Sequence, residues 1–206
     1  ERRSRGLGDV YKRQIPINKI SYKINKNLDF ISGGSAVHSL LNLENTERYN
    51  IIKSFNDLKK TYDYMIIDIG AGADTSSISF MSAANKIITV LVSEPTSFAD
   101  AYSLVKASYL DEKLDNFGIV WNMSSSDFQA KNHFEKFRSI STKFLDIKLT
   151  YLGSLNNSKI IKQSILSRNP IINNENIKET EHFQNICKNL KNLKSNKNKS
   201  IKFFEE

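Results

Sequence analysis

Cysteine, proline and glycine are all scarce in this sequence. Its 206 residues include one cysteine, three prolines and eight glycines. The single thiol, Cys187, excludes an intramolecular disulfide framework and a cysteine metal cluster, and we interpret it as a small apolar residue on a helix. No apolar run approaches the roughly 18 residues of a membrane-spanning helix, and no signal-peptide pattern is evident. We therefore expect a cytoplasmic protein.

Positive charge is in excess. The formal net charge is +8 and the sequence pI is about 9.4. Such a balance permits nucleic acid or an anionic membrane surface as a partner. Much of the excess sits at the two ends, however, and Lys and Asn are abundant throughout, which favours a general compositional bias over a dedicated basic face. With 39% hydrophobic residues, residues 15–193 are expected to form one domain.

The two ends differ from the rest of the chain. Residues 1–14, ERRSRGLGDVYKRQ, carry five Arg or Lys residues and no usable period. They resemble translated vector or adapter sequence, so we predict a non-native basic leader, with a basic binding arm as the alternative. Residues 194–206 are polar and rich in Lys and Asn, and we expect a frayed or disordered tail.

Between these ends, strand and helix patterns alternate. This order predicts an α/β fold with a mostly parallel sheet and helices on both faces. Strands are predicted over residues 28–31, 64–67, 86–93, 117–122 and 147–155, and helices around residues 49–58, 75–84, 98–105, 127–144, 160–166 and 183–193.

The most informative stretch is residues 62–72, YDYMIIDIGAG. An unbroken apolar run predicts a strand buried on both faces, with Asp68 at its carboxyl end, where α/β sheets bind ligands. Gly70 and Gly72 would let the backbone approach a ligand closely. The alternative is an ordinary Asp-containing turn at a strand end. The other glycine pair, Gly33 and Gly34, lacks the Lys-Ser/Thr of a phosphate loop and predicts only a tight turn.

Three stretches in order carry a family resemblance: YDYMIIDIGAG, then SEPTSFADAYSLVKA at residues 93–107, then the predicted strand ending at Asn122. Over residues 28–193 the chain resembles the MinD/ParA branch of P-loop ATPases. Within that branch it is most similar to FlhG-type proteins, the MinD-like ATPases that set flagellar number and position.

The resemblance assigns roles to particular residues. Asp68 would orient Mg²⁺ through a bound water at the end of the Walker B strand. Gly70 and Gly72 would form the switch II hinge that senses the γ-phosphate of ATP. Because other family motifs lie outside this sequence, these three residues are supporting rather than catalytic.

The base of ATP or ADP would be read elsewhere in the chain. The resemblance places the Asn122 side-chain amide against the adenine edge, with an Asn that caps a strand end as the alternative. Ser154 and Leu155 would line the base pocket through backbone groups. Asp100 and Tyr102 would lie on a helix that faces a partner.

Two family motifs are not in these 206 residues: the deviant Walker A sequence K-G-G-x-G-K-T/S and the switch I aspartate. We therefore expect a native portion that begins downstream of both motifs, and a chain that by itself does not hydrolyse ATP. We also expect exposed apolar strand faces and poor solubility, because the first strand of the family's sheet would be missing.

The resemblance implies a homodimer with ATP in the full-length form, flagellar assembly or placement proteins as partners, and an ATP-dependent switch as the function. It leaves open peripheral association with the inner face of the cell membrane, although core packing of the last helix is favoured. Alternatives are a ParA-type DNA-partition ATPase, for which nucleic acid would be the partner, a MinD-type division-site regulator, and a metabolic α/β enzyme.

Overall fold

Helices and strands alternate along the described chain. The structure is a computed structural model and describes residues 6–7, 9–10, 15–33, 44–58, 62–174, 177–196 and 202–203. In chain order the elements are β1 (Ser21–Asn25), β2 (Leu28–Ile31), α1 (Asn45–Ser54), α2 (Thr75–Ala83), β3 (Ile88–Leu91), α3 (Pro95–Glu112), β4 (Asn116–Ser124), α4 (Asp127–Phe144), β5 (Lys148–Asn156), α5 (Lys159–Leu166) and α6 (Lys178–Asn192). Short 3-10 helices cover Ile17–Lys19, Phe55–Leu58 and Ile171–Asn173.

The chain forms two compact units. The first unit comprises Glu1–Ala84 and Lys199–Glu206, and the second comprises Asn85–Asn198. None of the described helices is both long enough and apolar enough to cross a membrane. The prediction of one domain over residues 15–193, between a leader and a tail, stays a prediction.

The first unit contains the antiparallel hairpin of β1 and β2, helices α1 and α2, and a small apolar core. Strand β1 was not predicted, and Gly34 of the predicted tight turn lies outside the described residues. The core is made of Ile17, Ile20, Ile51, Ile52, Phe55, Leu58, Ala83 and Phe203. Leu7 and Val10, from the predicted leader, pack against it.

The predicted buried strand at residues 64–67 is wrong. This segment has no strand hydrogen bonds, and the side chains of Tyr64 and Ile66 are 75% and 91% exposed. Met65 and Ile67 are half-buried against the first unit's core. The apolar run is therefore covered on one face only, because no described strand pairs with it.

The second unit contains the parallel sheet, in the strand order β3-β4-β5. Residues 117–121 of β4 are all buried, as expected for a central strand covered on both faces. Trp121 meets Phe98 of α3 and His133 of α4, whereas its neighbour Val120 clusters with Ile186 of α6. Since successive side chains point to opposite faces, helices cover both sides of the sheet. The predicted α/β class is confirmed.

Two further expectations need correction. Strand β3 is not strongly buried, since Ile88 and Val90 are exposed; among the described strands it pairs only with β4. The predicted disordered tail is wrong for its described residues, because Asn196 and Phe203 are buried. The Phe203 ring meets Phe55 edge-on at 5.3 Å, a contact that the polar surroundings of Phe203 in the sequence did not suggest.

Candidate functional site

Asp68 lies in a segment of the first unit that forms neither helix nor strand, so the prediction that it ends a buried strand is wrong. Its side chain is exposed, and no hydrogen bond or ion pair with a described residue engages its carboxylate. The segment is held at its start, where the Tyr62 hydroxyl donates a hydrogen bond to the Asp29 carboxylate on β2. This hydrogen bond raises the pKa of Tyr62. Asp68 is therefore presented on an anchored segment with its charge available to a ligand.

The turn after Asp68 requires glycine at one of its two predicted positions. Gly72 has a φ of 134°, which side chains rarely adopt. A Cβ placed on Gly70 would meet nothing within 4 Å. The space beside Gly70 is therefore open to a ligand, and Gly72 is the position where the backbone itself excludes other residues.

Asp74 ends this turn and begins α2. Its carboxylate accepts hydrogen bonds from the Ser77 backbone N–H at 3.0 Å and from the Ser77 hydroxyl at 2.6 Å. Partial burial raises the pKa of Asp74, but the hydrogen bonds from Ser77 and Ser76 outweigh it and leave the pKa below its usual value. The turn that carries Gly70 and Gly72 thus leads into a capped helix, as the sequence predicted.

In the second unit, Asn122 lies near the carboxyl end of β4, beside a backbone irregularity. The register of β4 against β5 shifts between Trp121 and Ser124, and Met123 has a φ of 54° in the left-handed region. The Asn122 Oδ1 accepts a hydrogen bond from the Met123 N–H at 2.9 Å. This hydrogen bond uses one lone pair of Oδ1. It leaves the second lone pair of Oδ1 and the two N–H donors of the amide unused. Bulges of this kind often re-aim a side chain at a functional edge.

Ser154 and Leu155 lie on β5 beside this bulge, since Ser154 is the register partner of Trp121. The Ser154 hydroxyl is buried and donates to Asp127 Oδ1 at 2.6 Å. Leu155 packs against the cluster of Val120, Leu152, Ile186 and Leu193. Both side chains thus make contacts within the protein, and the role of the backbone here in lining a base pocket stays a prediction.

Asp127 gives this edge of the second unit negative charge. His182 Nδ1 of α6 lies 3.7 Å from Asp127 Oδ1. Burial raises the pKa of Tyr151. The hydrogen bond with Ser154 lowers this pKa, and the charge of Asp127 raises it further. Asp127 was not predicted as a site residue; its place one residue after the helix-capping Ser126 is the only sequence signal for it.

A second polar group at this edge was also missed. The Trp121 indole N–H donates to the Ser93 hydroxyl at 3.0 Å, and that hydroxyl lies 3.0 Å from His133 Nδ1. Ser93 opens the SEPTS stretch that follows β3. The loop is therefore fixed by an indole and an imidazole from two other elements, which no spacing in the sequence could indicate.

Comparison with known proteins gives three informative matches, whereas no family model matches the chain. The chain is 27% identical over 161 residues to antiactivator FleN of Pseudomonas aeruginosa, covering 78% of this chain and 58% of FleN. It is 23% identical over 158 residues to flagellum site-determining protein YlxH of Helicobacter pylori, covering 76% of this chain and 53% of YlxH. The MinD cell division protein of Aquifex aeolicus has the same fold, with a TM-score of 0.69 and 16% identity over 93% of this chain and 76% of that chain.

The sequence similarity to two flagellar proteins and the fold shared with MinD support the predicted resemblance to the MinD/ParA family. The chain's sequence similarity to FleN and YlxH places it near the FlhG-type members, as predicted. The chain spans little more than half the length of either relative.

Mg²⁺ and ATP are the ligands that the resemblance implies for the described residues. No three His, Cys, Asp or Glu side chains in the described ranges form a metal-ligand group. Mg²⁺ in nucleotide sites needs no such group, because waters and phosphate oxygens supply most of its ligands. The exposed Asp68 carboxylate fits a water-mediated contact, and the Asn122 amide has donor and acceptor capacity for a base edge.

Asp100 and Tyr102 occupy different environments on α3. Asp100 is exposed and Tyr102 is half-buried. Only Asp100 therefore has the exposure that a partner-facing role needs, and that role stays a prediction for both residues.

Proposed function

We propose that this chain is part of an ATP-binding switch of the FlhG type, which controls the number or placement of flagella through ATP-dependent dimerisation and partner binding. The similarity to FleN and YlxH is the observation that carries the proposal, since their names are those of an antiactivator and a flagellum site-determining protein. The resemblance to the MinD/ParA family supports ATP and Mg²⁺ as ligands.

In this proposal the D-x-G-A-G turn of the first unit senses the nucleotide. Asp68 orients Mg²⁺ through water, and Gly70 and Gly72 allow the turn to change conformation with the γ-phosphate. Its support is the exposed carboxylate of Asp68, which no described residue engages, and the positive φ of Gly72. Bound Mg²⁺ would neutralise phosphate charge.

In the second unit, the proposal assigns recognition of the base to the carboxyl edge of the β3-β4-β5 sheet. Asn122 reads the base, and the backbone at Ser154 and Leu155 lines its pocket. The support is the bulge at Met123, which holds the Asn122 side chain at the strand end, and the register that brings β5 beside it.

Deleting the gene and counting flagella by electron microscopy tests the biological role. We expect cells with an altered number or position of flagella and normal division. Unchanged flagella would contradict the proposal. Minicells would favour a MinD-type division-site regulator, and unequal DNA inheritance with salt-sensitive DNA binding would favour a ParA-type partition protein.

The ATPase expectation is tested separately in solution. These 206 residues should give no Mg²⁺-dependent ATP hydrolysis, because they contain no lysine-bearing phosphate loop. A full-length protein with such a loop should hydrolyse ATP and dimerise with a non-hydrolysable ATP analogue. Turnover by the 206-residue chain alone, after removal of contaminating ATPases, would contradict this expectation.

A further inference from the structure

Helix α5 and the turn after it expose apolar side chains that nothing in the described chain covers. No residue of α5 is buried. Ile165 and Leu166 are 69% and 83% exposed, and Ile172 in the adjoining 3-10 turn is also exposed. Single exposed apolar residues are common, but three within eight positions form a patch of the kind that marks interaction sites.

Positive charge surrounds these apolar side chains. Lys159, Lys162 and Arg168 are exposed, and residues 158–174 include no Asp or Glu. No ion pair with a described residue engages any of the three cations. We call the set Lys159, Lys162, Ile165, Leu166, Arg168 and Ile172 the basic apolar face.

Both ends of the segment are fastened to the start of α6. The Ser158 hydroxyl caps α5 by accepting from the Ile160 N–H at 3.1 Å and donates to Glu179 Oε1 at 2.6 Å. The buried Thr180 hydroxyl donates to the Asn174 carbonyl at 2.8 Å. The face is therefore preformed, so a ligand binding there would not have to order it first.

The positions of the charges on the basic apolar face indicate which kind of ligand it can bind. Along α5, Leu166 lies on the same side as Lys162 and Lys159, opposite the half-buried Ser164. Ile161 lies away from the two lysines, but Leu166 lies between them, so a membrane surface would have to take up Leu166 beside two cations. In a symmetric contact between two copies of this chain, the three cations of one copy would face the three cations of the other. An acidic segment that also carries apolar side chains complements the face without either conflict.

From this complementarity we propose that the basic apolar face binds an acidic, apolar segment of a partner protein. Leu166 and Ile165 supply the apolar contact, and Lys159, Lys162 and Arg168 pair with the partner's carboxylates. The proposal goes beyond the nucleotide switch and does not depend on ATP binding.

The test uses a short fluorescein-labelled helical peptide with leucines along one face and glutamates beside them. A second peptide has lysine at every glutamate position. Binding to the full 206-residue chain is followed by fluorescence anisotropy at low and high salt. We expect the glutamate peptide to bind, the lysine peptide not to bind, and the affinity to fall with salt.

Leu166→Glu should weaken binding about tenfold or more, as loss of a central apolar contact does. Leu110→Glu is the matched control, since Leu110 is also an exposed leucine, near the end of α3. Both variants should keep the circular dichroism spectrum of the unaltered chain because both positions are exposed. Lys162→Glu is an independent test. It should shift the binding preference of the chain from the glutamate peptide towards the lysine peptide.

Failure of the glutamate peptide to bind, or equal binding by the Leu166→Glu and Leu110→Glu variants, would overturn the proposal. If the chain does not bind the peptide but co-sediments with phosphatidylglycerol vesicles, and Leu166→Glu abolishes that co-sedimentation, the proposal is overturned in favour of a membrane surface. A dimer that Leu166→Glu dissociates would overturn it in favour of a second copy.

Discussion

At the scale of single residues, the hydroxyl of Ser93 is the hydrogen-bond acceptor for the fully buried Trp121 indole. Ser93→Ala should lower the free energy of unfolding by about 1–2 kcal/mol, because a buried donor loses its partner. Trp121 is the only tryptophan, so its fluorescence follows unfolding in denaturant directly. Thr96→Ala, at a nearby exposed position, is the control and should change little. Equal midpoints for the two variants would show that this hydrogen bond contributes nothing.

Asn196 joins its own segment to the start of β4 through one side chain. Its Oδ1 accepts from the backbone N–H groups of Asp115 and Asn116, and its Nδ2 donates to the Asn116 carbonyl at 2.9 Å. Asn196→Ala should therefore cost about 2–3 kcal/mol of unfolding free energy, since it leaves several backbone groups unpaired. The exposed neighbour Ser195, changed to alanine, is the control. A denaturation midpoint equal to that of the control would contradict this role.

At the scale of elements, α2 depends on the charge of its capping residue. The pKa of Asp74 is lowered in the folded chain, so its contribution to stability is complete above the unfolded pKa of about 3.9 and is lost as pH falls through and below that value. Asp74→Asn keeps a capping side chain that does not titrate. The variant should lose less stability than the unaltered chain between neutral and acidic pH, as measured by thermal unfolding. Parallel losses would show that Asp74 is not the titrating group.

Asp74→Ala removes the cap as well as the charge. It should lower stability by about 1 kcal/mol at neutral pH and speed amide hydrogen exchange in α2. Unchanged exchange in α2 would contradict the capping role, whatever the effect on overall stability.

The sequence predicted helices better than it predicted burial. Helix α4 begins and ends at the predicted residues, 127 and 144. Residues 64–67 had the composition of a central strand, yet a strand is buried only where other strands pair with it, and composition does not report such pairing. The same reason explains the exposed side chains of Ile88 and Val90 on β3.

Of the predicted site residues, Asn122 lies near the end of a strand as its place after an apolar run indicated, whereas side chains joined only through space were not predicted. Asp68 and Asn122 each end an apolar run. The Asp127–Ser154 hydrogen bond joins residues 27 positions apart, and the Trp121–Ser93 bond joins residues 28 apart. Such pairs are set by helix packing on the sheet, for which a single sequence holds no local signal.

At the scale of the whole molecule, exposed apolar side chains on extended segments favour self-association. Ile66→Lys and Val90→Lys should each reduce light scattering by the concentrated chain. Phe144→Lys, a change at an exposed apolar residue on helix α4, should have a smaller effect because a helix presents no unpaired strand edge. Equal effects of all three variants would point to general charge rather than to extended segments.

The central claim is that Asp68 belongs to a Mg²⁺-dependent nucleotide site, and calorimetric titration of the full-length protein with an ATP analogue tests it most directly. The matched pair is Asp68→Ala and Asp63→Ala, two exposed carboxylates of the same segment. We predict that Asp68→Ala weakens the Mg²⁺-dependent part of binding about tenfold or more, a loss of at least about 1.4 kcal/mol, and that Asp63→Ala leaves it unchanged. Equal affinities for the two variants, or no Mg²⁺-dependent binding at all, would contradict the claim.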